Sequence, residues 1–362
     1  MRRIVALASG LLCLCACRST LFSESAPAGY PNSYADEVHD ADREGVLAIW
    51  SAIDKQKAAA LVADFARLHP DIHVRYQELP ARQLYDRFLA NAAAGGGTAD
   101  FLWSSAMDLQ IKLVNDGYTQ RYVSPEREAL PHWANWKNQA WGTTAEPIVF
   151  LYNRRLIADA AMPRGHEALI RFLEQRPQAL RGRVATYDVA SSAVGYLYLS
   201  QDQQAVHDIW RLVRAMGEDH VALYANAEQA VREVASGRAA VAYDIVGSYA
   251  LGQVQAHPDI GMVVPRDYTL LMSRIAVIPA AARHPNAARL FLDFLLSRRG
   301  QGHLVRENMP SVRADVPGPP ALDPAGAPLR AIRVGPALLV SQDLLTRQYF
   351  LRRWRAALGQ AG

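Results

Sequence analysis

The sequence predicts an α/β protein folded as two lobes. Its 362 residues exceed what a single hydrophobic core usually holds, which favours two folding units. Half of the residues are apolar and 20% are charged, a composition typical of globular proteins. From residue 45 onward, short apolar strands alternate with segments of helical spacing, which predicts parallel-rich sheets wound with helices.

The first seventeen residues have the pattern of an export signal. Arg2 and Arg3 form a basic start, residues 4–14 are mostly apolar, and Leu14-Cys15-Ala16-Cys17 closes the segment. This tetrapeptide resembles a bacterial lipobox, which implies that Cys17 is acylated and becomes the first mature residue. An ordinary cleaved signal is the alternative. Because the apolar run is too short for a hydrocarbon core of roughly 30 Å, we expect a periplasmic protein that meets the membrane only through a lipid anchor.

Charge, cysteine usage and missing motifs exclude several functions. The formal charge of +4 is too small for a nucleic-acid-binding face. The three cysteines, Cys13, Cys15 and Cys17, all lie in the signal, so no disulfide is expected in the mature chain. The sequence contains no Walker, Gly-x-Gly-x-x-Gly, His-Glu-x-x-His or Gly-x-Ser-x-Gly motif. We therefore predict no enzyme, no cofactor and no nucleic-acid partner.

The elements follow one another in a regular order. Residues 18–44 are rich in Ser, Pro, Gly and acidic residues and predict a linker with a short entry helix. The next elements are a strand at 45–50, a helix at 54–68, a strand at 72–76, a helix at 82–94, a strand at 98–103 and a helix to about 115. Later strands are predicted at 148–152, 183–187, 239–243 and 269–278, with helices starting at Asn153, at 285 and at about 344.

Several strands end in loops that carry hydroxyl side chains at the start of a helix. Such loops present unpaired backbone N–H groups and a partial positive charge, which bind anions. A serine at this position can instead simply cap its helix. Because loops at the carboxyl ends of neighbouring strands share one crevice, we predict a site for phosphate, phosphonate or carboxylate oxygens. Its candidate serines are Ser51, Ser104, Ser105, Ser191, Ser192 and Ser248.

The order of the motifs resembles a known family. The segments are Gly-Gly-Gly-Thr-Ala-Asp-Phe-Leu-Trp-Ser-Ser at 95–105, Trp-Gly-Thr-Thr at 141–144, Tyr-Asn-Arg-Arg-Leu at 152–156 and His-Pro-Asn-Ala-Ala-Arg-Leu-Phe at 284–291. Together they are similar to a periplasmic solute-binding protein of an ABC importer, in the branch that binds ferric ion, hexose phosphates and phosphonates. The resemblance covers roughly residues 45–312. It implies the type II two-lobe periplasmic-binding-protein fold, in which two crossing hinge strands join the lobes.

The resemblance also implies domain boundaries and a role. Lobe 1 would comprise residues 45–142 and 279–362 with a C-terminal helix, lobe 2 would comprise residues 151–268, and the hinges would lie near 143–150 and 269–278. We expect a monomer that captures a small polar or anionic ligand and delivers it to an inner-membrane ABC permease. The competing functions are a periplasmic sensor subunit and a lipid-anchored hydrolase.

The choice between an anion and ferric ion depends on the groups in the crevice. Ferric members usually present two adjacent tyrosines, because phenolates suit a trivalent cation. Here Tyr243 and Tyr249 are six positions apart, which weakens an iron site without excluding one that also uses Asp244 and Glu146.

Three further groups bear on the ligand. Arg274 on the crossing strand can pair with an oxyanion or form a salt bridge at the hinge. Asp54 and Asp244 complicate a purely anionic ligand, because they either cap helices or accept hydrogen bonds from a ligand hydroxyl or amine. The remaining tyrosines of this region are predicted to pack in the core; they are Tyr187, Tyr196 and Tyr198.

Overall fold

The computed structural model describes residues 30–175, 177–323 and 326–360. The predicted signal, the lipobox-like tetrapeptide and Cys17 lie outside these residues. Within them, the helices are too short or too polar to cross a membrane.

The described chain alternates strands and helices. The strands are β1 (Val46–Ser51), β2 (His73–Glu78), β3 (Phe101–Ser104), β4 (Asn135–Trp136), β5 (Ala140–Gly142), β6 (Glu146–Asn153), β7 (Val184–Tyr187), β8 (Ala222–Tyr224), β9 (Val241–Val246), β10 (Ile260–Val263), β11 (Thr269–Met272), β12 (Ile275–Val277) and β13 (Leu329–Ala331). The helices are α1 (Tyr34–Glu44), α2 (Lys55–Leu68), α3 (Ala81–Ala93), α4 (Met107–Asn115), α5 (His166–Gln175), α6 (Pro177–Leu180), α7 (Ala193–Ala205), α8 (Ile209–Glu218), α9 (Ala227–Ser236), α10 (Gly247–Ala256), α11 (Pro285–Leu296), α12 (Arg298–Arg306) and α13 (Leu344–Ala357).

The strands form two sheets. The order in the first is β2-β1-β3-β12-β5-β4, and the order in the second is β13-β11-β6-β9-β7-β8, with β10 paired to β6. Strand β1 is parallel to β2 and β3, whereas β12 is antiparallel to β3 and β5. In the second sheet β6 is antiparallel to β9, β10 and β11. The predicted two-lobe α/β fold class is confirmed, but the sheets are mixed rather than parallel-rich, because the strands next to each crossing run against their neighbours.

Three segments connect the sheets. The chain leaves the first sheet after Gly142 and enters the second at Glu146, and it returns between Met272 and Ile275. The long strand predicted at 269–278 is therefore two strands, β11 and β12, separated by two residues. The residues after α12 form a third connection, because they lead from the first sheet back to β13 in the second.

The C-terminal segment lies against the second sheet. Strand β13 is parallel to β11, and α13 packs on α8. The ring of Phe350 lies 5.1 Å from that of Trp210 in this contact. This contact differs from the expected placement of all of residues 279–362 with lobe 1. Helix α11, in contrast, packs on α1 and α2.

Aromatic side chains fix α11 against the first sheet. The ring of Phe291 makes edge contacts at 5.1 Å with Phe65 of α2 and with Phe101 of β3. All three side chains are fully buried, and each contributes roughly 1.5–3 kcal/mol by its removal from water. This packing fixes α2 and α11 against β3 of the first sheet.

Candidate functional site

A buried ion pair lies where the first two connections cross. Arg274 precedes β12 and is 2% exposed, and Glu146 begins β6 and is 0% exposed. The Nε atom of Arg274 donates to Oε1 of Glu146 at 2.7 Å, and Nη2 donates to Oε2 at 3.2 Å. Thr144 donates to Oε1 at 3.0 Å, and Ser248 of α10 donates to Oε2. The pair thus joins both connections to a helix of the second sheet.

Both members of this pair are charged. Burial raises the pKa of Glu146. The charge of Arg274 and the surrounding hydrogen bonds lower it by more than burial raises it, so the pKa lies below its usual value. Burial lowers the pKa of Arg274, and the charge of Glu146 more than offsets that effect. Among the described residues, Nη1 of Arg274 has no hydrogen-bond partner and remains a charged donor.

A tryptophan and a threonine fix the crossing to the end of β3. The indole Nε1 of Trp103 donates to Oγ1 of Thr143 at 2.8 Å, and this hydroxyl donates to the carbonyl of Arg274 at 2.8 Å. The backbone N–H of Arg274 donates to Thr144 at 3.0 Å. These bonds take the place of a strand ladder where the chain changes sheets, so the position of Arg274 is set by both connections.

One hydrogen bond links helices that follow strands of different sheets. The hydroxyl of Tyr249 on α10 donates to Oδ2 of Asp54 at 2.9 Å, directly before α2. The Nζ atom of Lys57 lies 4.8 Å from the Tyr249 ring centre, and the guanidinium of Arg274 lies 5.8 Å from it. Burial raises the pKa of Tyr249, the charge of Arg274 opposes that shift, and the carboxylate of Asp54 adds to it. The phenol is therefore neutral and acts as a donor.

Three of the six predicted serines use their hydroxyl proton inside the protein. Ser51 donates to the carbonyl of Trp103 at 3.1 Å, and Ser191 donates to Oδ2 of Asp188 at 2.6 Å. Ser248 donates to Glu146. In this arrangement these three hydroxyls hold the loops together and have no proton to offer a ligand.

The other three serines keep their proton. The hydroxyl of Ser104 accepts from the backbone N–H of Ala106 at 3.2 Å before α4, and the hydroxyl of Ser192 accepts from Gly195 at 3.3 Å as the cap of α7. Only the Ser192 oxygen caps its helix, since the N-cap residue of α4 is Ala106, but both hydroxyls can still donate. The hydroxyl of Ser105 forms no hydrogen bond to the described residues and is half-buried.

The two tyrosines of the iron hypothesis point to different carboxylates. Tyr243 is 1% exposed and donates to Asp202 at 2.5 Å, whereas Tyr249 donates to Asp54. Burial and the charge of Asp202 raise the pKa of Tyr243 well above its usual value, which disfavours a phenolate. Over the described ranges, His, Cys, Asp and Glu side chains form no group of three that could hold a metal ion.

Asp244 faces the interior between the second sheet and the helices packed on it. Its φ of 63° is left-handed, and it lines a small void beside Tyr187 and Gly195. Burial and the neighbouring Asp202 raise its pKa well above the usual value, which disfavours a charged helix cap.

Tyr198 belongs to this region although its sequence pattern indicates the core. It is fully buried on α7, yet its hydroxyl has no hydrogen-bond partner. Its ring lies 6.1 Å from Tyr187, and the charges of Glu146 and Arg274 act on its pKa, so it lies near the ion pair. The spacing of Tyr196 and Tyr198 indicates that the two side chains have different surroundings, because residues two apart on a helix point in nearly opposite directions. Tyr196 indeed donates elsewhere, to the carbonyl of Ser341 at 2.8 Å.

A groove of about 510 Å³ lies elsewhere, between α2 and the edge strand β2. Its walls include Val62, Ile72 and Val74, and none of the predicted site residues lines it. Polar groups that can hold a ligand are concentrated at the crossing of the connections, and we place the candidate site there.

Comparisons with known proteins agree on one family. A model described as "Bacterial extracellular solute-binding protein" matches residues 60–323. The substrate-binding protein of the ABC transporter from Agrobacterium tumefaciens is 39% identical, with 86% of this chain and 94% of that chain covered and a TM-score of 0.81. A comparison with curated proteins finds no match.

Two more distant structures share the fold. AfuA from Actinobacillus pleuropneumoniae, with fructose-6-phosphate bound, is 17% identical, with 88% of this chain and 99% of that chain covered and a TM-score of 0.72. Iron-bound HitA from Pseudomonas aeruginosa is 19% identical, with 86% and 99% covered and a TM-score of 0.67.

Proposed function

Because this chain belongs to the bacterial extracellular solute-binding proteins and is the substrate-binding component of an ABC transporter, we propose that it captures a small anionic ligand at the crossing of its connections. The ligand would be a phosphorylated, phosphonate or carboxylate compound, which the protein delivers to its membrane permease. The family predicted from the motifs is confirmed. Its transport relatives are not enzymes, and the family is extracytoplasmic.

Beside one unpaired buried acceptor, Oε1 of Gln110, the polar groups still available near the crossing are hydrogen-bond donors, and these donors carry the ligand class. They are Nη1 of Arg274, the hydroxyl of Tyr198 and the hydroxyl protons of Ser104 and Ser192. A hydrogen bond to a charged acceptor contributes about 1.5–3 kcal/mol. Several such donors therefore favour an oxyanion over a metal ion.

The charges nearby limit how much negative charge the ligand carries. Arg274 is paired with Glu146, and Lys57 lies close enough to Asp54 for the carboxylate to act on its pKa. The two cations are thus balanced by two carboxylates, which favours a ligand with one anionic group. Asp54 can then exchange its bond from Tyr249 for a ligand hydroxyl or amine.

We also propose that the connections at 143–145 and 273–274 are hinges between two lobes. Lobe 1 contains the first sheet with α11 and α12, and lobe 2 contains the second sheet with residues 329–360. In this division the hydrogen bond from Tyr249 to Asp54 joins the two lobes, so that separation of the lobes would break it. A monomeric state and acylation of Cys17 remain parts of the proposal.

A ligand screen tests the proposed ligand class. Phosphorylated sugars, phosphonates, di- and tricarboxylates, polyamines and ferric citrate are compared by thermal shift, since a ligand at a hundred times its Kd adds about 2.7 kcal/mol to stability. Stabilisation by a compound with one phosphate, phosphonate or carboxylate group is expected. Stabilisation by ferric citrate alone, with a visible tyrosinate absorption lost in Tyr249→Phe, would contradict the anion assignment and leave the transport function intact.

A further inference from the structure

The most exposed large apolar side chains of the described residues lie close together near the C-terminus. Val340 is 65% exposed, Leu344 68%, Leu345 74% and Tyr349 60%, whereas exposed apolar residues elsewhere in the described ranges reach at most 53%. Single exposed apolar side chains are common, but a contiguous group of this kind marks an interaction surface.

Helix α13 holds three of these four side chains on its outer face, and the fourth, Val340, precedes it in a 3-10 helix. Phe350 and Trp354 point inward against the second lobe and are 5% and 2% exposed. Leu345, Tyr349 and Arg352 follow at i, i+4 and i+7 on the opposite face. The helix is therefore docked on the protein by one face while the other face presents apolar and basic side chains together.

Positive charge is concentrated in the same segment. Residues 326–360 contain six arginines and one aspartate, a formal charge of +5, although the whole chain carries only +4. Arg347 and Arg353 lie over the rings of Tyr196 and Trp210 at 4.4 and 4.6 Å. Arg352 and Arg355 are exposed, and the structure pairs neither with a carboxylate of the described residues.

The segment sits where the two sheets' layers meet. In the 3-10 helix Pro336–Gln342, the side-chain amide of Gln342 donates to Asp108 of α4, and the carbonyl of Ser341 accepts from Tyr196 of α7. These contacts fix the exposed face in one orientation relative to both layers.

We propose that this face, formed by Val340, Leu344, Leu345, Tyr349, Arg352 and Arg355, is a docking surface for an anionic lipid bilayer. Apolar side chains beside arginines on one helix face are typical of segments that lie in the membrane interface. The apolar side chains enter the headgroup layer, and the arginines bind lipid phosphates. The inference does not depend on the identity of the transported ligand.

Sedimentation with vesicles tests this surface. The chain from residue 18 onward is used, so that acylation of Cys17 contributes nothing, and it retains every described residue. Binding to phosphatidylcholine vesicles that contain phosphatidylglycerol is expected, with little binding to phosphatidylcholine alone. Each of Arg352→Gln and Arg355→Gln should weaken binding about fivefold, and Leu345→Ser with Tyr349→Ser should weaken it by at least about tenfold.

Matched controls lie outside the surface. Leu329→Ser removes another exposed apolar side chain, and Arg121→Gln removes another exposed arginine. Both should bind vesicles like the wild type, and all variants should unfold at unchanged temperature. The proposal is overturned if the protein ignores anionic vesicles or the α13 variants bind as the controls do. A dimer that Leu345→Ser abolishes, without vesicle binding, would overturn it in favour of a second copy of this chain.

Discussion

Replacement of Tyr198 by phenylalanine removes one hydroxyl from the centre of the candidate site and leaves the ring in place. The side chain is fully buried and its hydroxyl has no hydrogen-bond partner. An unpaired buried polar group costs about 1–3 kcal/mol. The unliganded Tyr198→Phe protein should therefore be as stable as the wild type or more stable, by up to about 1 kcal/mol.

Ligand binding should change in the opposite direction. If the hydroxyl donates to the anionic group of the ligand, its loss costs about 1.5–3 kcal/mol of binding free energy. The Kd for the best ligand of the screen should rise about ten- to a hundredfold, at ~1.4 kcal/mol per tenfold. A gain in stability together with a loss of affinity distinguishes a ligand donor from a core residue.

Calorimetry and urea unfolding measure the two effects. Tyr196→Phe is the matched control on the same helix, because the Tyr196 hydroxyl donates to the carbonyl of Ser341 at 2.8 Å. This variant should lose about 1 kcal/mol of stability and keep its affinity. Unchanged affinity in Tyr198→Phe, or a loss of stability like that of the control, would refute the assignment of Tyr198 to the ligand site.

Three further predictions follow from contacts in and around the site. Ser104→Ala and Ser192→Ala should each weaken binding about ten- to a hundredfold in calorimetry, whereas Ser191→Ala, whose proton Asp188 already accepts, should not; equal affinities in all three variants would contradict this. Burial raises the pKa of Asp108 from 3.8 to about 6, so the folded state binds a proton that the unfolded state has lost between these values. The wild type should therefore lose about 2 kcal/mol more unfolding free energy than Asp108→Asn as the pH rises from about 4 to 6, and parallel pH profiles of the two proteins in urea unfolding would refute this prediction. If Cys17 is acylated, Cys17→Ser should move from the detergent phase to the aqueous phase, and unchanged partitioning would remove the lipid anchor.

Local patterns predict the strands and the helix starts well. The helix predicted to start at residue 285 matches α11, and the helix predicted from about 344 matches α13. Both follow from apolar spacing, which reports the buried face directly. The prediction of a helix that starts at Asn153 is wrong. The Asn153 side chain accepts from the backbone N–H of Arg155 at 3.0 Å and donates to the carbonyl of Val234 at 2.8 Å. An asparagine that bonds to nearby backbone competes with the helix.

The roles of the site residues depend on partners that are distant in the sequence. Ser51 donates to a carbonyl 52 positions away, and Ser248 donates to Glu146 across 102 positions. A serine after a strand therefore indicates a polar loop but does not reveal where its proton points. Local sequence does not reveal the salt bridge of Arg274 either, because its partner Glu146 lies 128 positions earlier, directly after the other connection.

The short strand β13 illustrates a further limit. Its three residues carry no periodic pattern that distinguishes a strand from a loop. Pairing with β11 fixes them, and with them the side of the molecule on which α13 lies. Tertiary contacts rather than local sequence thus place residues 329–357 against the second sheet and its helices.

Solution scattering with and without ligand tests the central claim, which is that two lobes close over a ligand at the crossing of the connections. A ligand that contacts both lobes shifts the population towards the closed state. The radius of gyration should therefore decrease when the best ligand of the screen saturates the protein, with saturation verified by calorimetry on the same sample. A radius of gyration that stays unchanged at verified saturation would contradict closure of the lobes over the ligand.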